Sequence, residues 1–223
     1  MGKSDVGTAS YAMIQFCSKL VKNNGPLFVC CSGGKDSIAV GHFLSRQNKE
    51  VALFHFNHKL RPQNDEMENC VRSLEWGLRP PLIVSADQYP LDIKQYGLEG
   101  AAHNARIQAM LHAAEVYGIN NFILCHHLDD CIESYLMGCF NGEDKILPVK
   151  SIIGPITLYR PFLATTKKCL DDYVVNNNLS YVEDETNTDT SPRRNWIRHV
   201  LRPQLEPKYP GLEKIVRKKV LQC

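Results

Sequence analysis

Residues 27–31 form a wholly apolar run that stops at Ser32-Gly33-Gly34-Lys35-Asp36-Ser37. A short, continuous apolar run suits a strand buried on both faces, as in a parallel sheet. Residues 35–46 then carry Ile38, Ala39, Phe43 and Leu44 at helical spacing, so the polar stretch is a strand-to-helix turn. Its two glycines let the backbone approach a ligand closely and take positive φ. The free amides at the start of the helix, with the positive end of its dipole, favour an anion. Ser32 and Ser37 add hydroxyls, and Lys35 adds a cation. Asp36 would repel a bare phosphate, and a divalent cation between them removes that conflict. The loop therefore reads as a site for a nucleotide phosphate plus Mg²⁺, although it is neither G-x-x-x-x-G-K-[ST] nor G-x-G-x-x-G.

The same alternation continues along the chain. Strands are predicted over 51–56, 81–84 and 121–125, and helices over 9–22, 64–77, 99–117 and 129–140. This predicts an α/β fold, a Rossmann-like parallel sheet with helices on both faces. Ligands in such folds bind at the carboxyl ends of the strands, and polar clusters stand there. Asn57-His58-Lys59-Leu60-Arg61 follows the second strand, and His126-His127-Leu128-Asp129-Asp130 follows the fourth. His58 and Arg61, three apart on a turn, can face one ligand, whereas His55 reads as a core residue. Asp129, Asp130 and Glu133 share one face of a helix. Three acids there repel unless a cation or a basic substrate offsets them, and Mg²⁺ held jointly with Asp36 is the economical answer.

Composition narrows the class. The chain has 223 residues, 43% apolar and 22% charged, which excludes disordered, collagen-like and coiled-coil chains. No apolar run approaches the ~18 residues of a membrane helix, so no membrane partner is expected. Residues 1–10 are polar and include Asp5, unlike a signal peptide. The nine cysteines are odd in number and contain no C-x-x-C pair, which points to a reducing, cytoplasmic compartment and away from zinc or iron–sulfur sites. Residues 63–144 carry 13 acids and four bases, whereas 193–219 carry nine bases and two acids. A basic C-terminal stretch suggests a polyanionic partner, or simply a solvated amphipathic helix.

The loop Ser32 to Ser37 resembles the pyrophosphate loop of the N-type ATP pyrophosphatases, the PP-loop superfamily. The ordered clusters resemble its tRNA(Ile)-lysidine synthetase family more specifically. His58 to Arg61 matches that family's His-x-x-Arg, and Leu98-Glu99 through Arg106 matches its Glu-rich helix. His126 to Glu133 matches His-His-x-Asp-Asp-x-x-Glu, and Arg160-Pro161-Phe162-Leu163 matches Arg-Pro-Leu-Leu. Asp184-Glu185-Thr186-Asn187 and Arg194-Asn195-Trp196-Ile197-Arg198 match its last two motifs. Departures are His103 and Ile107 in the Glu99 helix, and Phe140-Asn141-Gly142-Glu143-Asp144 in place of a Gly-rich segment.

The resemblance implies a PP-loop domain over 1–205, followed by a short basic helix or tail over 206–223 rather than a full tRNA-binding domain. RNA binding would then rely on that tail or on a second subunit, as in a homodimer. It implies that ATP lies over Ser32, Gly33, Gly34, Lys35, Asp36 and Ser37, with His58 nearby, and that Asp36 and Asp130 hold Mg²⁺. The wobble cytidine of a minor isoleucine tRNA is adenylated at its C2 oxygen, and the ε-amine of free lysine displaces AMP. Lys35, Asp36, Asp129, Asp130 and Glu133 become catalytic candidates, with Asp129 or Glu133 binding the amine or accepting its proton. Arg61, Glu99, Arg106, His127, Arg194, Asn195 and Arg198 become RNA or substrate contacts. Arg194 and Arg198 could instead form ion pairs with Glu183 or Asp184. Competing readings are a tRNA thiolase of the same superfamily, a small-molecule ligase, and a non-catalytic nucleotide- or RNA-binding protein.

Overall fold

The computed structural model describes residues 25–47, 50–76, 79–89, 92–184 and 193–222. The helix expected over 9–22 lies outside the described residues, as do Glu185, Thr186 and Asn187. Strands β1 (Leu27–Cys30), β2 (Val51–Asn57), β3 (Leu82–Ser85), β4 (Asn121–Ile123), β5 (Lys150–Ile153) and β6 (Ile156–Tyr159) form one sheet. Its order is β3-β2-β1-β4-β6-β5. Every pairing is parallel except the β5–β6 hairpin at one edge. The chain leaves β1 toward β2 and β3, then returns to place β4 on the other side of β1. Between β1 and β4 the strand order reverses, and a crevice opens at such a switch point.

β1 shows why the sheet is buried twice. Leu27 and Val29 pack with Ile38, Phe43, Leu44, Leu170 and Val174. Phe28, pointing the other way, packs with Phe54, Met110, Ala113 and Phe122, as the two-residue period of a strand requires. Thus α1 (Lys35–Gln47) and α5 (Lys167–Asn176) cover one face, and α3 (Ile93–Tyr117) covers the other. α2 (Gln63–Arg72) follows β2 and is shorter than the predicted 64–77. α3 is broken at Gly97 (φ 68°), two residues before the predicted start at 99, and is capped by left-handed Gly118.

α4 (Leu128–Phe140) belongs to a third apolar cluster. Leu128, Ile132 and Leu136 meet Leu163, Ile197, Val216 and Val220. The last two lie on α8 (Leu212–Leu221), so the segment expected as a helix or tail is a helix packed onto α4. Between them run α6 (Arg193–Trp196), a π-helical turn (Ile197–Leu201) and α7 (Arg202–Leu205). The β5–β6 hairpin and α5 are additions to the sequence-based expectation. β5 alternates exposed and half-buried residues at the sheet edge, and a four-residue edge strand carries too weak a period to read from sequence.

Candidate active site

The loop after β1 is built as its composition suggests. Gly33 takes φ +89°, and a Cβ there would lie 2.7 Å from the carbonyl oxygen of Met67, so glycine is needed for conformation and for space. The Ser37 hydroxyl donates to Gly34 O at 2.9 Å and accepts from the Ser32 amide at 3.0 Å. Ser32 Oγ lies 3.0 Å from Ser37 Oγ. The two serines expected to bind nucleotide thus brace the turn, and Ser37 is buried. The segment just before residue 185 crosses above. Val182 N donates to Gly33 O at 3.0 Å, and the Lys35 ammonium stands 4.8 Å over the Tyr181 ring and 3.5 Å from Asp171.

The loop after β4 supplies the opposite wall. His127 is the N-cap of α4. Its Nδ1 accepts from the Asp129 amide at 3.2 Å, while Asp130 Oδ2 accepts from the His127 amide at 2.9 Å. Such a reciprocal box fixes both side chains. With Nδ1 accepting, the ring proton sits on Nε2, which lies 3.5 Å from Asp36 Oδ2 and 3.5 Å from Asp130 Oδ2. The two aspartates, from separate crossover units, therefore converge on one imidazole at the switch point. Burial alone would raise the Asp36 pKa, but the hydrogen bond from His127 and the Lys167 ammonium outweigh it and hold the carboxyl well below its usual range. Burial likewise opposes protonation of His127, yet Asp36, Asp130 and Asp129 raise its pKa.

These groups line a cavity of about 680 Å³ together with Lys35, His58, Arg61, Arg106, Lys167 and Arg198. His58 packs edge-on to Phe56, with ring centroids 4.8 Å apart. Burial and the charges of Arg106, His55 and Arg61 push its pKa down to about 4, so the ring is neutral. Lys167 went unnoticed in the sequence: its Nζ donates to Asp36 Oδ1 at 2.9 Å. It opens α5 after the Thr166 cap, and a Thr-Lys-Lys run following an apolar segment was its one available signal.

Three expectations are corrected. Glu133 does not face the cavity. It is fully buried and bound by Arg198, whose Nε and Nη2 donate to its two carboxylate oxygens at 2.6 and 3.0 Å. Arg194 Nε stands 3.3 Å from the same carboxylate, placed to attract it but not to hydrogen-bond it. Asp129 turns toward Arg202, 3.5 Å away, because successive helical residues diverge by about 100°. The ion pairs considered between Arg194 or Arg198 and Glu183 or Asp184 are replaced by these, and Asp184 pairs with Arg61 instead, at 3.1 Å. Asn195 lies half-buried on α6, and the side chain of Glu99 lies outside the described residues. Burial pushes the Cys30 thiol up to about 12 and the Cys31 thiol up to about 11, so neither thiol beside the loop is a ready nucleophile.

A glycine turn capping a buried strand, facing an aspartate pair across the switch point, is the arrangement expected of a PP-loop domain. Residues 8–205 match the sequence model of the PP-loop domain. The chain belongs to the PP-loop family. Membership implies ATP use. Among curated relatives, the tRNA(Ile)-lysidine synthase of Exiguobacterium sibiricum is 30% identical over 190 residues, covering 84% of this chain and 45% of that protein. The tRNA(Ile)-lysidine synthase of Lactobacillus gasseri is 28% identical over 208 residues, covering 87% of this chain and 48% of that protein. The chain thus spans less than half the length of these relatives. Among solved structures, the U34-tRNA thiolase NcsA of Methanococcus maripaludis, with its [4Fe-4S] cluster, superposes with a TM-score of 0.74 at 13% identity. It is covered over 97% of this chain and 78% of its own. The NH3-dependent NAD synthetase of Campylobacter jejuni gives 0.56 at 16%, covering 98% and 94%. These likenesses establish the α/β fold. Among the described residues, no helix is long and apolar enough to cross a membrane.

Proposed function

We propose that this protein is an ATP-dependent tRNA-modifying ligase of the lysidine synthetase type. It joins lysine to the wobble cytidine of a minor isoleucine tRNA and releases AMP and pyrophosphate. The observation that carries this reading is the convergence of Asp36 and Asp130 on His127 beside the Gly33–Gly34 turn. The ordered similarity to lysidine synthases along most of the chain supports the choice of substrate.

In this reading the cytidine C2 oxygen attacks the α-phosphate of ATP and pyrophosphate leaves. The lysine ε-amine then attacks C2, loses a proton and expels AMP. Gly33 and Gly34 offer amides to the phosphates, and Lys35 and Lys167 neutralise the departing diphosphate. The donor set suits magnesium. Asp36 and Asp130 offer only oxygen, and no group of three or more ligating side chains stands ready among the described residues, so substrate phosphates would complete the shell. Bound there, Mg²⁺ would supply charge neutralisation at the phosphates. Lysine's amine has a reference pKa of ~10.4 and needs an acceptor for its proton. Solvent in the open cavity takes that proton, while Glu133 positions Arg198 beside Asp130.

The experiment is pyrophosphate release from ATP with and without a cytidine-wobble isoleucine tRNA, with mass analysis of its nucleosides after adding lysine. Release only with the tRNA, and a nucleoside carrying lysine, is expected. Asp36→Asn should abolish release without unfolding the protein. Release without RNA, or turnover in Asp36→Asn, would sink the assignment. A thiolase reading predicts a sulfur-bearing nucleoside instead, and the raised pKa values of Cys30 and Cys31 beside the loop argue against those two as its nucleophile.

A further inference from the structure

Asp36 is held from two sides. Lys167 Nζ donates to both of its oxygens, at 2.9 and 3.2 Å, and His127 Nε2 stands 3.5 Å from Oδ2. The two partners differ in freedom. His127 is buried, and its other ring nitrogen is tied to the Asp129 amide. The Lys167 side chain is 43% exposed and carries its charge on a flexible four-carbon stem. A divalent cation at Asp36 needs one of those oxygens and repels an ammonium already there. Lys167 is therefore the partner that gives way.

A second position lies within its reach. Asp171 follows Lys167 by one turn of α5, a spacing at which helical side chains meet. Its Oδ1 is buried and accepts no hydrogen bond, yet Lys167 Nζ stands 3.9 Å away and Lys35 Nζ 3.5 Å away. A buried acceptor left unbonded is costly, and one flanked by two ammoniums is a ready partner for either. Lys35 is also engaged by the Tyr181 ring, 4.8 Å away, so Lys167 is the freer of the two. Both lysines line the cavity with Asp36, His127 and Asp130, whereas Asp171 does not.

We propose that Lys167 is a two-position ammonium that makes the site selective for a divalent cation carried by a nucleotide over the free cation, with Asp171 as its positioning residue. In the first position Lys167 neutralises Asp36. In the second it turns toward Asp171 and the phosphates of the incoming nucleotide. A free cation must displace Lys167 from Asp36 and offers it nothing in return. A nucleotide-bound cation brings phosphate oxygens, which accept the ammonium that Asp36 releases. Asp171 keeps Lys167 and Lys35 side by side by offsetting their mutual repulsion. The inference rests on one part of the reading under Proposed function, a divalent cation at Asp36, and not on the identity of the nucleoside or the amine.

The test titrates the full chain with Mn²⁺ alone, followed by electron paramagnetic resonance, and with inorganic pyrophosphate in the presence of Mg²⁺, followed by calorimetry. Lys167→Met should bind Mn²⁺ roughly tenfold more tightly than the wild type, since a charged hydrogen bond no longer competes. That gain should disappear when Asp36→Asn is added. Lys167→Met should also bind pyrophosphate roughly tenfold more weakly, since a charged partner of the phosphates is lost. A side chain with only a structural role would weaken both. Asp171→Asn should weaken Mn²⁺ binding by roughly two- to fivefold, by leaving Lys167 on Asp36, and should have no effect in the Lys167→Met background. If Lys167→Met does not fold, Lys167→Gln carries the comparison. No gain in Mn²⁺ affinity in the folded variant, a gain that survives Asp36→Asn, or unchanged pyrophosphate affinity overturns the exchange. An Asp171→Asn effect that persists in the Lys167→Met background is a through-space charge effect and overturns the positioning role. Neither titration contains tRNA or lysine, so a failure to make lysidine leaves these outcomes standing.

Discussion

Glu133 has no exposed surface and lies against two guanidiniums, with Arg202 on the neighbouring Asp129. Breaking a buried pair leaves a stranded charge, which typically costs roughly 3–5 kcal/mol. Because Arg198 is partly exposed, Glu133→Gln should fall at the low end of that range in urea denaturation. A loss of activity with unchanged stability would instead make Glu133 a proton acceptor. Lys167 is a different case: its side chain is half-exposed. Lys167→Met should lower kcat/KM for ATP by roughly tenfold, the value of one modest hydrogen bond to a charged group, with little change in stability. His58 and His126 set a pH dependence. Both are held near 4 in the folded state against about 6.5 in an unfolded chain. Between those values the unfolded state binds more protons, so stability falls as pH drops from about 6.5 toward 4. His126→Gln should flatten that slope in denaturation midpoints measured across the interval.

At the scale of single elements, the turn after β1 has the least freedom. Gly33→Ala meets both a positive φ and the Met67 carbonyl. It should destabilise by more than the about 1 kcal/mol of a simple glycine replacement and displace α2 from the loop. A urea midpoint matching the wild type would show that the turn tolerates a Cβ. This element was legible in the sequence because an apolar strand, two glycines and an amphipathic helix all agree on it. The face of α4 was legible only in part. Spacing places Asp129 and Glu133 on one side of a helix, but not which neighbours that side meets. The partners lie about 60 to 75 residues downstream, on α6, the π-helical turn and α7, so spacing alone could not show that Asp129 meets Arg202 and that Glu133 is buried under Arg198. The β5–β6 hairpin and α5 were illegible for a simpler reason. Four-residue strands around Gly154-Pro155 give too short a pattern, and Lys167 enters the site only through that missed helix.

Across the whole molecule, α8 carries basic residues that the proposed function would turn toward RNA. Its apolar side, Val216 and Val220, is buried on α4, so its charged side faces out. Two of the basic residues expected to bind RNA are engaged within the protein: Lys219 donates to Asp144 at 2.8 Å, and Arg217 pairs with Glu213 at 3.0 Å. Lys214 and Lys218 are the better probes. Replacing both with Ala should lower the salt dependence of tRNA binding by about two, one per phosphate contact, and leave the ATP site intact. An unchanged salt slope would show that this face is solvated surface. The α/β fold itself was readable because strand and helix periods alternate over most of the chain.

His127 has a consequence of its own. The same ring nitrogen that starts α4 must be bare to accept the Asp129 amide, while the other nitrogen faces Asp36 and Asp130. A second proton arriving on that ring from the solvent side would take away the first anchor of the helix. Acidity inside the crevice should therefore loosen the first turn of the scaffold that carries Asp130, and faster amide exchange at Asp129 as pH falls would register it.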